Sequence, residues 1–307
     1  MTPITEVEGR RLTLSNLDKV LYPATGTTKG ELLHHYARTA APLLAHLAGR
    51  PVSFLRYPDG AQGQAFFTKN PPPGTPDWVK SVEVPRSARR GEDRGRQVVV
   101  DGLASLMWAA NLVVEFHTPQ WLAVAPAVAD RLVFDLDPGA PATVGDCCRV
   151  ALWLRERLTG DGLDAYAKTS GAKGLHLLIA VAPTPSADVS AYAKKLAREA
   201  EGALPSLVVH RMRRDLRPGK VFVDHSQNSA AKTTATPYTV RARTEPTVSA
   251  PVTWDEVAAC AEGGAPLRFV LDDMPGRLEA YGDLMAPLFG QGHPPLPGRP
   301  PDAGAAR

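Results

Sequence analysis

The stretch RLVFDLDPG, residues 131–139, decides how this chain is read. Side chains alternate along an extended strand, so Val133, Asp135 and Asp137 share one face while Phe134 and Leu136 take the other. Pro138 ends the strand. Two carboxylates therefore stand side by side where an apolar strand meets a polar loop. Like charges that close repel unless a cation lies between them, and carboxylate oxygens suit Mg²⁺ or Mn²⁺. KVFVDHSQN, residues 220–228, repeats the design, with Val221 and Val223 on one face and Phe222 and Asp224 on the other. A DxD pair alone reads more plainly as a surface turn. With Asp224 added, the acids suit a two-metal site, in which ions ~3.5–4 Å apart clamp the oxygens of a phosphoryl transfer.

Between these strands lies KTSGAKGLHLLIAV, residues 168–181. Gly171 and Gly174 allow backbone to approach a ligand closely. Ser170 offers a hydroxyl, and Lys168 and Lys173 offer charge. Together they form a cradle for a triphosphate, although the GxxxxGK[ST] spacing of a P-loop is absent. The plainer alternative is a glycine-rich hairpin with exposed lysines. His176 shares a face with Leu178 and Ala180. Basic residues cluster twice: Arg86, Arg89, Arg90, Arg94 and Arg96, and then Arg211, Arg213, Arg214, Arg217 and Lys220. Such clusters concentrate potential where a polyanion can sit. The second runs straight into the acidic strand end, which favours a functional reading there.

Further out, strands and helices mix. A helix at 29–47 has Thr28 as N-cap and Glu31 in its first turn. Strands follow at 52–57, 65–69, 98–100 and 113–117, with a helix at 102–112. The second half alternates more clearly: strand 131–137, helix 144–158, a loop at 168–174 leading into strand 175–181, helix 187–203, and strands 220–224 and 238–243. This pattern gives an α+β or α/β protein. The segment after Gly290 is rich in Pro, Gly and Ala and is expected to be disordered to 307. The 307 residues carry 44% hydrophobic and 22% charged side chains and a net charge of +3, ordinary values for a globular domain. No apolar run approaches the ~20 residues of a membrane span, and no secretory signal opens the chain, so no membrane association and a cytoplasmic location are expected. Cys147, Cys148 and Cys260 match neither a zinc spacing nor a disulfide framework.

Taken together and in this order, RLVFDLDPG, KTSGAKGLHL and KVFVDHSQN resemble the polymerase domain of bacterial ATP-dependent DNA ligase D, within the archaeo-eukaryotic primase superfamily. LDKVLYPATGTTKGEL, LAGRPVSFLRYPDG, FFTKNPPPGTPDWV, LMWAANLVVEFHTPQW and TPYTVRAR extend the resemblance over roughly residues 10–260. It implies an α+β fold: a primase-type catalytic core with an RRM-like sheet (roughly 116–260), packed with an N-terminal αβ module (roughly 1–115) and a C-terminal helical cap (261–290). The active site would lie in the cleft between core and module. It implies that Asp135, Asp137 and Asp224 bind two divalent cations, Mn²⁺ or Mg²⁺. Ser170 and Lys173 would hold the triphosphate with His176 nearby. Arg56, His117, Gln227 and Arg241 would reach the incoming nucleotide. Lys19 and Lys29 resemble a pair that recognises the 5′-phosphate of a DNA gap or end, and Phe66 and Phe67 resemble aromatics that stack on the template. Lysines read phosphate without reading sequence, and aromatics stack on any base. Judged singly, His117 reads as a buried structural histidine and Lys19 as a surface lysine. One of Phe66 and Phe67 should belong to the core.

The implied activity is template-directed nucleotidyl transfer. A primer 3′-hydroxyl attacks the α-phosphate of a nucleoside triphosphate, with a preference for ribonucleotides, to fill gaps and extend ends in non-homologous end joining. Implied partners are DNA with gaps or 5′-phosphorylated ends, the Ku end-binding protein and a separate DNA ligase, in a nucleoid-associated setting. No KxDG ligase motif and no phosphoesterase segment appears, so the sequence reads as a stand-alone polymerase or one piece of a split system. The run between Trp121 and Arg131 is short and suggests a trimmed loop near the nucleotide. Other readings stay open: a dedicated DNA primase, a metal-dependent nuclease or phosphoesterase, and a non-catalytic DNA-end binding module of a repair complex.

Overall fold

The computed structural model describes residues 4–85 and 94–298. Its larger sheet is six-stranded and is built around the acidic strand, Val128–Pro138. Leu175–Pro185 pairs with it on one side and Val221–Asp224 on the other, both antiparallel. Ala165–Thr169 and Pro251–Val252 extend the sheet past the first, and Val208–Val209 past the second. Helices Val144–Gly160 and Ser186–Ala203 cover one face, where Leu132, Phe134 and Leu136 join Leu154, Ala193 and Leu196 in a common core. Alternation then sends Val133, Asp135 and Asp137 to the opposite face. There Val133 packs against Leu178, Ala180, Met285 and Leu288.

A four-stranded sheet, Thr234–Ala235, Val114–Thr118, Ser53–Arg56 and Phe66–Thr68, organises the second core. Helices Lys29–Arg38, Ala40–Leu47 and Leu103–Ala110 pack on it around Tyr36, Phe54, Trp108 and Phe116. The Tyr36 ring meets Phe116 edge-on at 5.2 Å, and its hydroxyl donates to the Val114 carbonyl at 2.8 Å. Tyr238, Val240, Val248, Ala250, Leu271 and Met274 complete this core. The chain thus returns from the larger sheet to close the core begun by its N-terminal third, and no single point in the sequence divides the two.

Several expectations change. The helix read over 29–47 starts as expected, with a capping box in which Glu31 N–H donates to Thr28 Oγ1 and Thr28 N–H to Glu31 Oε2. It breaks at Thr39, because Pro42 has no N–H to carry the ladder through and Thr39 Oγ1 donates back to the His35 carbonyl at 2.9 Å. Lys168 belongs not to a loop but to the strand Ala165–Thr169. The strand read at 98–100 begins earlier, as Arg94–Val98 paired with Ser81–Pro85.

The disorder expected over 291–307 does not hold for 291–298. Leu296 is 4% exposed against the larger core, and the Pro294 carbonyl accepts from Ala182 N–H at 2.9 Å. Apolar burial and one backbone bond anchor a segment whose composition alone suggested freedom. Residues 299–307 lie outside the described residues, as do Arg86, Arg89 and Arg90 of the first basic cluster and the Arg94 side chain. All three cysteines are buried free thiols. Among the described residues, no helix is long and apolar enough to cross a membrane.

Candidate active site

Strand register assembles the site. Asp224 lies opposite Asp135, Asp135 opposite His176, and His176 opposite Lys168, so four polar residues form a row across the larger sheet. Asp137 stands two residues along on the same face. The strand bearing Asp224 stops there, and the turn His225–Asn228 takes over its pairing role. Asn228 mimics a strand: its Oδ1 accepts from Val133 N–H and its Nδ2 donates to the Val133 carbonyl, both at 2.8 Å. The Asp137–Gly139 end is pinned from the other side. Gly139 N–H donates to the Lys220 carbonyl, and a Cβ on Gly139 would sit 2.1 Å from the Arg217 carbonyl oxygen.

Burial, and then the neighbouring carboxylates, push both Asp135 and Asp137 well above the usual carboxylate range. Among the described residues, no three His, Cys, Asp or Glu side chains converge into a ready metal cage. Asp224 turns inward: its Oδ1 accepts from Ser226 N–H at 2.9 Å and Ser226 Oγ at 2.6 Å, and its Oδ2 from Gln227 Nε2 at 2.9 Å. The donor set nevertheless fits a hard divalent cation. It is anionic, all-oxygen and mutually repulsive, which a bound cation would relieve.

A cavity of about 500 Å³ opens beside Asp137, lined among others by Lys173, Arg243, Thr247 and Arg268. Lys173 and Asp137 thus line the same cavity. Ser170 is buried, and its Oγ accepts from Ala172 N–H at 3.1 Å and Gly174 N–H at 3.2 Å, so the hydroxyl shapes the loop. The glycines approach protein rather than ligand. A Cβ on Gly174 would fall 1.9 Å from the Leu136 carbonyl oxygen, and one on Gly171 would fall 2.5 Å from Arg241 Cγ. Lys168, expected as a cradle charge, is fully buried behind the loop.

Sequence reasoning missed the buried carboxylate to which His117 and Arg241 both bond. Glu115, 2% exposed, accepts from Arg241 Nε at 2.7 Å, His117 Nε2 at 3.1 Å and Ala242 N–H at 2.8 Å. Arg241 also donates through Nη1 to the Ser170 carbonyl. One buried carboxylate thus joins His117, Arg241 and the Ser170 loop. Burial alone would raise the Glu115 carboxyl. The hydrogen bond from His117 and the Arg241 charge outweigh that and hold it at about 2. Alternation on the strand Val114–Thr118 was the available signal, since Glu115 and His117 share a face.

The remaining expected residues line the surroundings. Arg56 pairs in register with Phe66, and its Nε is buried with no protein partner. Phe66 and Phe67 are 45% and 54% exposed, so neither is core. Their strand is the sheet's edge and is three residues long, which leaves both residues about half exposed. Lys29 is buried, its Nζ donating to the Ser15 carbonyl at 2.8 Å, and burial and the nearby Lys19 lower its pKa. Lys19 Nζ donates to the Pro58 carbonyl at 2.8 Å and meets Asp59 at 3.3 Å. His176 bonds to Asp135 and Lys168, and Gln227 to Asp224, so both serve the acids directly. In the second basic cluster, Arg211 and Arg213 pair with Glu201 and Asp215, while Arg217 stacks on Phe222 at 3.7 Å.

A mixed fold whose acidic strand places Asp137 at a cavity lined by Lys173, Arg243 and an Arg268–Glu245 pair, with Asp135 beside it, fits a nucleotidyltransferase of the primase–polymerase class. The match to the family model "LigD, primase-polymerase domain" runs over residues 28–285, and the chain belongs to that family. It is 42% identical over 283 residues to the multifunctional non-homologous end joining protein LigD of Mycolicibacterium smegmatis, covering 91% of this chain and 36% of that protein. It is 28% identical over 275 residues to the bifunctional non-homologous end joining protein LigD of Bacillus subtilis, covering 89% of this chain and 43% of the relative. The chain therefore spans well under half of either relative. The polymerase domain from Mycobacterium tuberculosis ligase D, solved in complex with DNA, superposes with a TM-score of 0.85 at 41% identity, over 91% of this chain and 98% of that one.

Proposed function

We propose that this domain extends DNA ends and fills gaps by template-directed nucleotidyl transfer in end joining, with Asp135, Asp137 and Asp224 as its metal ligands. The observation that carries the reading is the row of acids in register beside a cavity lined by Lys173, Arg243 and Arg268. Divalent cations held there, Mn²⁺ or Mg²⁺, would stabilise charge on the attacking and leaving oxygens of phosphoryl transfer. Lys173, Arg243 and Arg268 supply positive charge to the triphosphate and to departing pyrophosphate. Glu115 fixes the orientation of Arg241 and His117, so these groups meet the nucleotide without reorganising. The unpartnered Arg56 Nε leaves a donor for a ligand in the cleft. Exposed Phe66 and Phe67 offer a stacking platform that tolerates any base.

Lys29 and Lys19 suit a 5′-phosphate, because Lys29 is a buried cation whose one observed contact is a carbonyl. The substrates follow: gapped or 5′-phosphorylated DNA and nucleoside triphosphates, with ribonucleotides preferred, and with Ku and a ligase as working partners. The test is extension of a gapped, 5′-phosphorylated duplex, comparing NTP with dNTP and Mn²⁺ with Mg²⁺. Asp135→Ala with Asp137→Ala should abolish addition and leave DNA binding largely intact. Extension by that double variant would end the metal-site reading.

A further inference from the structure

We propose that Lys168 is a positioning residue for the metal-binding carboxylate Asp135, acting through His176. The inference rests on the reading of Asp135 as a metal ligand and assigns that site a support reaching across three adjacent strands of the sheet.

A hydrogen-bonded chain links the Thr169 carbonyl to Asp135. The Thr169 carbonyl can only accept, so Ser249 Oγ, 2.9 Å away, donates to it. Ser249 Oγ is then left with lone pairs towards Lys168 Nζ at 2.5 Å, and the lysine donates. Lys168 Nζ also lies 2.8 Å from His176 Nδ1. An amine or ammonium in that place gives Nδ1 a proton to accept, so Nδ1 carries the lone pair. A neutral ring with a bare Nδ1 bears its proton on Nε2, which is 3.2 Å from Asp135 Oδ1. Donation runs outward from Lys168 in both directions: through Ser249 to the Thr169 carbonyl, and through His176 to Asp135. Asp135 as a metal-binding carboxylate can only accept, which puts the ring proton on Nε2 and the lone pair on Nδ1 for either charge state of Lys168.

The chain is enclosed. Lys168, Ser249, Thr169 and His176 are all buried, and the register of three adjacent strands sets their spacing. Lys168 has no route to a triphosphate, which removes the role its sequence context suggested. What it does instead is hold one tautomer and one orientation of His176. That ring in turn occupies one oxygen of Asp135 and leaves the other free for a cation. Outer partners of this kind orient a ligand, and their loss commonly weakens metal binding by about 10–100-fold.

The test uses the intact chain and two readouts besides turnover. Ring ¹⁵N NMR of the metal-free protein should show His176 protonated at Nε2, with Nδ1 shifted by an accepted hydrogen bond. Titration with Mn²⁺ alone, followed by the loss of free-ion EPR signal, gives affinity. Lys168→Met should release the Nδ1 shift and weaken Mn²⁺ by about tenfold. Ser249→Ala, which leaves the lysine but removes its anchor, should move both readouts the same way by less. A folded Lys168→Met with wild-type Nδ1 and Mn²⁺ affinity within twofold overturns the proposal. If Lys168→Met does not fold, an Ser249→Ala protein with neither readout changed overturns it. An Asp135→Asn protein that binds Mn²⁺ like wild type would defeat the metal-site reading instead, and the NMR arm would still decide whether Lys168 donates to His176.

Discussion

Replacing Glu115 by Gln removes one charge and almost no volume from the cluster that joins His117, Arg241 and the Ser170 loop. The Glu115 carboxyl sits at about 2 against an ordinary 4.5. At roughly 1.4 kcal/mol per tenfold, the site prefers the carboxylate over a neutral group by about 3 kcal/mol. Glutamine approximates that neutral group, and its amide NH₂ must face either Arg241 or the Ala242 N–H, both of them donors. Solvent screening is slight at 2% exposure, so the figure stands at the lower edge of the 3–5 kcal/mol expected for breaking a buried pair. Urea unfolding at pH 7 should show Glu115→Gln less stable by about 3 kcal/mol. Triphosphate binding should weaken as well, because Arg241 loses its brace to the Ser170 loop. The sign also fixes a pH dependence. A depressed carboxyl stabilises the fold above about 4.5 and loses that contribution as pH falls towards 2, so the two proteins should converge in acid. A variant within about 1 kcal/mol of wild type at pH 7, binding nucleotide normally, would refute the claim that Glu115 organises this side.

Gly174→Ala should cost at least about 2 kcal/mol by thermal unfolding, because its Cβ would lie 1.9 Å from the backbone of the strand carrying Asp135 and Asp137; Gly160→Ala, with open space around it, should be neutral or mildly stabilising. Lys19→Ala with Lys29→Ala should weaken binding to 5′-phosphorylated gaps more than to unphosphorylated ones, and equal loss on both would sink the phosphate pocket. His35 and His46, which burial holds at about 4 against 6.5, resist protonation in the folded state. Stability should therefore fall between pH 6.5 and 4, by about 2 kcal/mol per histidine at pH 5. Asp135 and Asp137, raised by burial, act in the opposite sense over this range, so the check uses Asp135→Asn with Asp137→Asn: a urea midpoint of that protein unchanged between pH 7 and pH 5 would contradict the histidine effect.

Where periodicity and burial agree, the fold was legible. Val133, Asp135 and Asp137 separate from Phe134 and Leu136 because a strand has a period of two and one of its faces packs on helices. Where a single residue overrides its neighbourhood, it was not. Pro42 and Thr39 split a helix whose apolar pattern runs through the break. Leu296 anchors a segment of disordered composition. Phe66 and Phe67 both stand clear because their strand lies at an edge, and the position of a strand within its sheet is a long-range property.

The site divides along the same line. Acids at strand ends announce themselves, because a carboxylate after an apolar run calls for a cation. The groups that hold them in place do not. Glu115 sits in a strand read for its histidine, and Lys168 sits in a segment read as a phosphate loop. Each is intelligible only from what packs against it: Arg241 from 126 residues away for Glu115, Ser249 from 81 residues away for Lys168. A buried charge is costly unless paired, so a lysine or glutamate surrounded by strand formers implies a distant partner without naming it. That is why acids at strand ends stand out in the sequence, while the groups proposed to aim Asp135 and Arg241 become visible only in the folded structure.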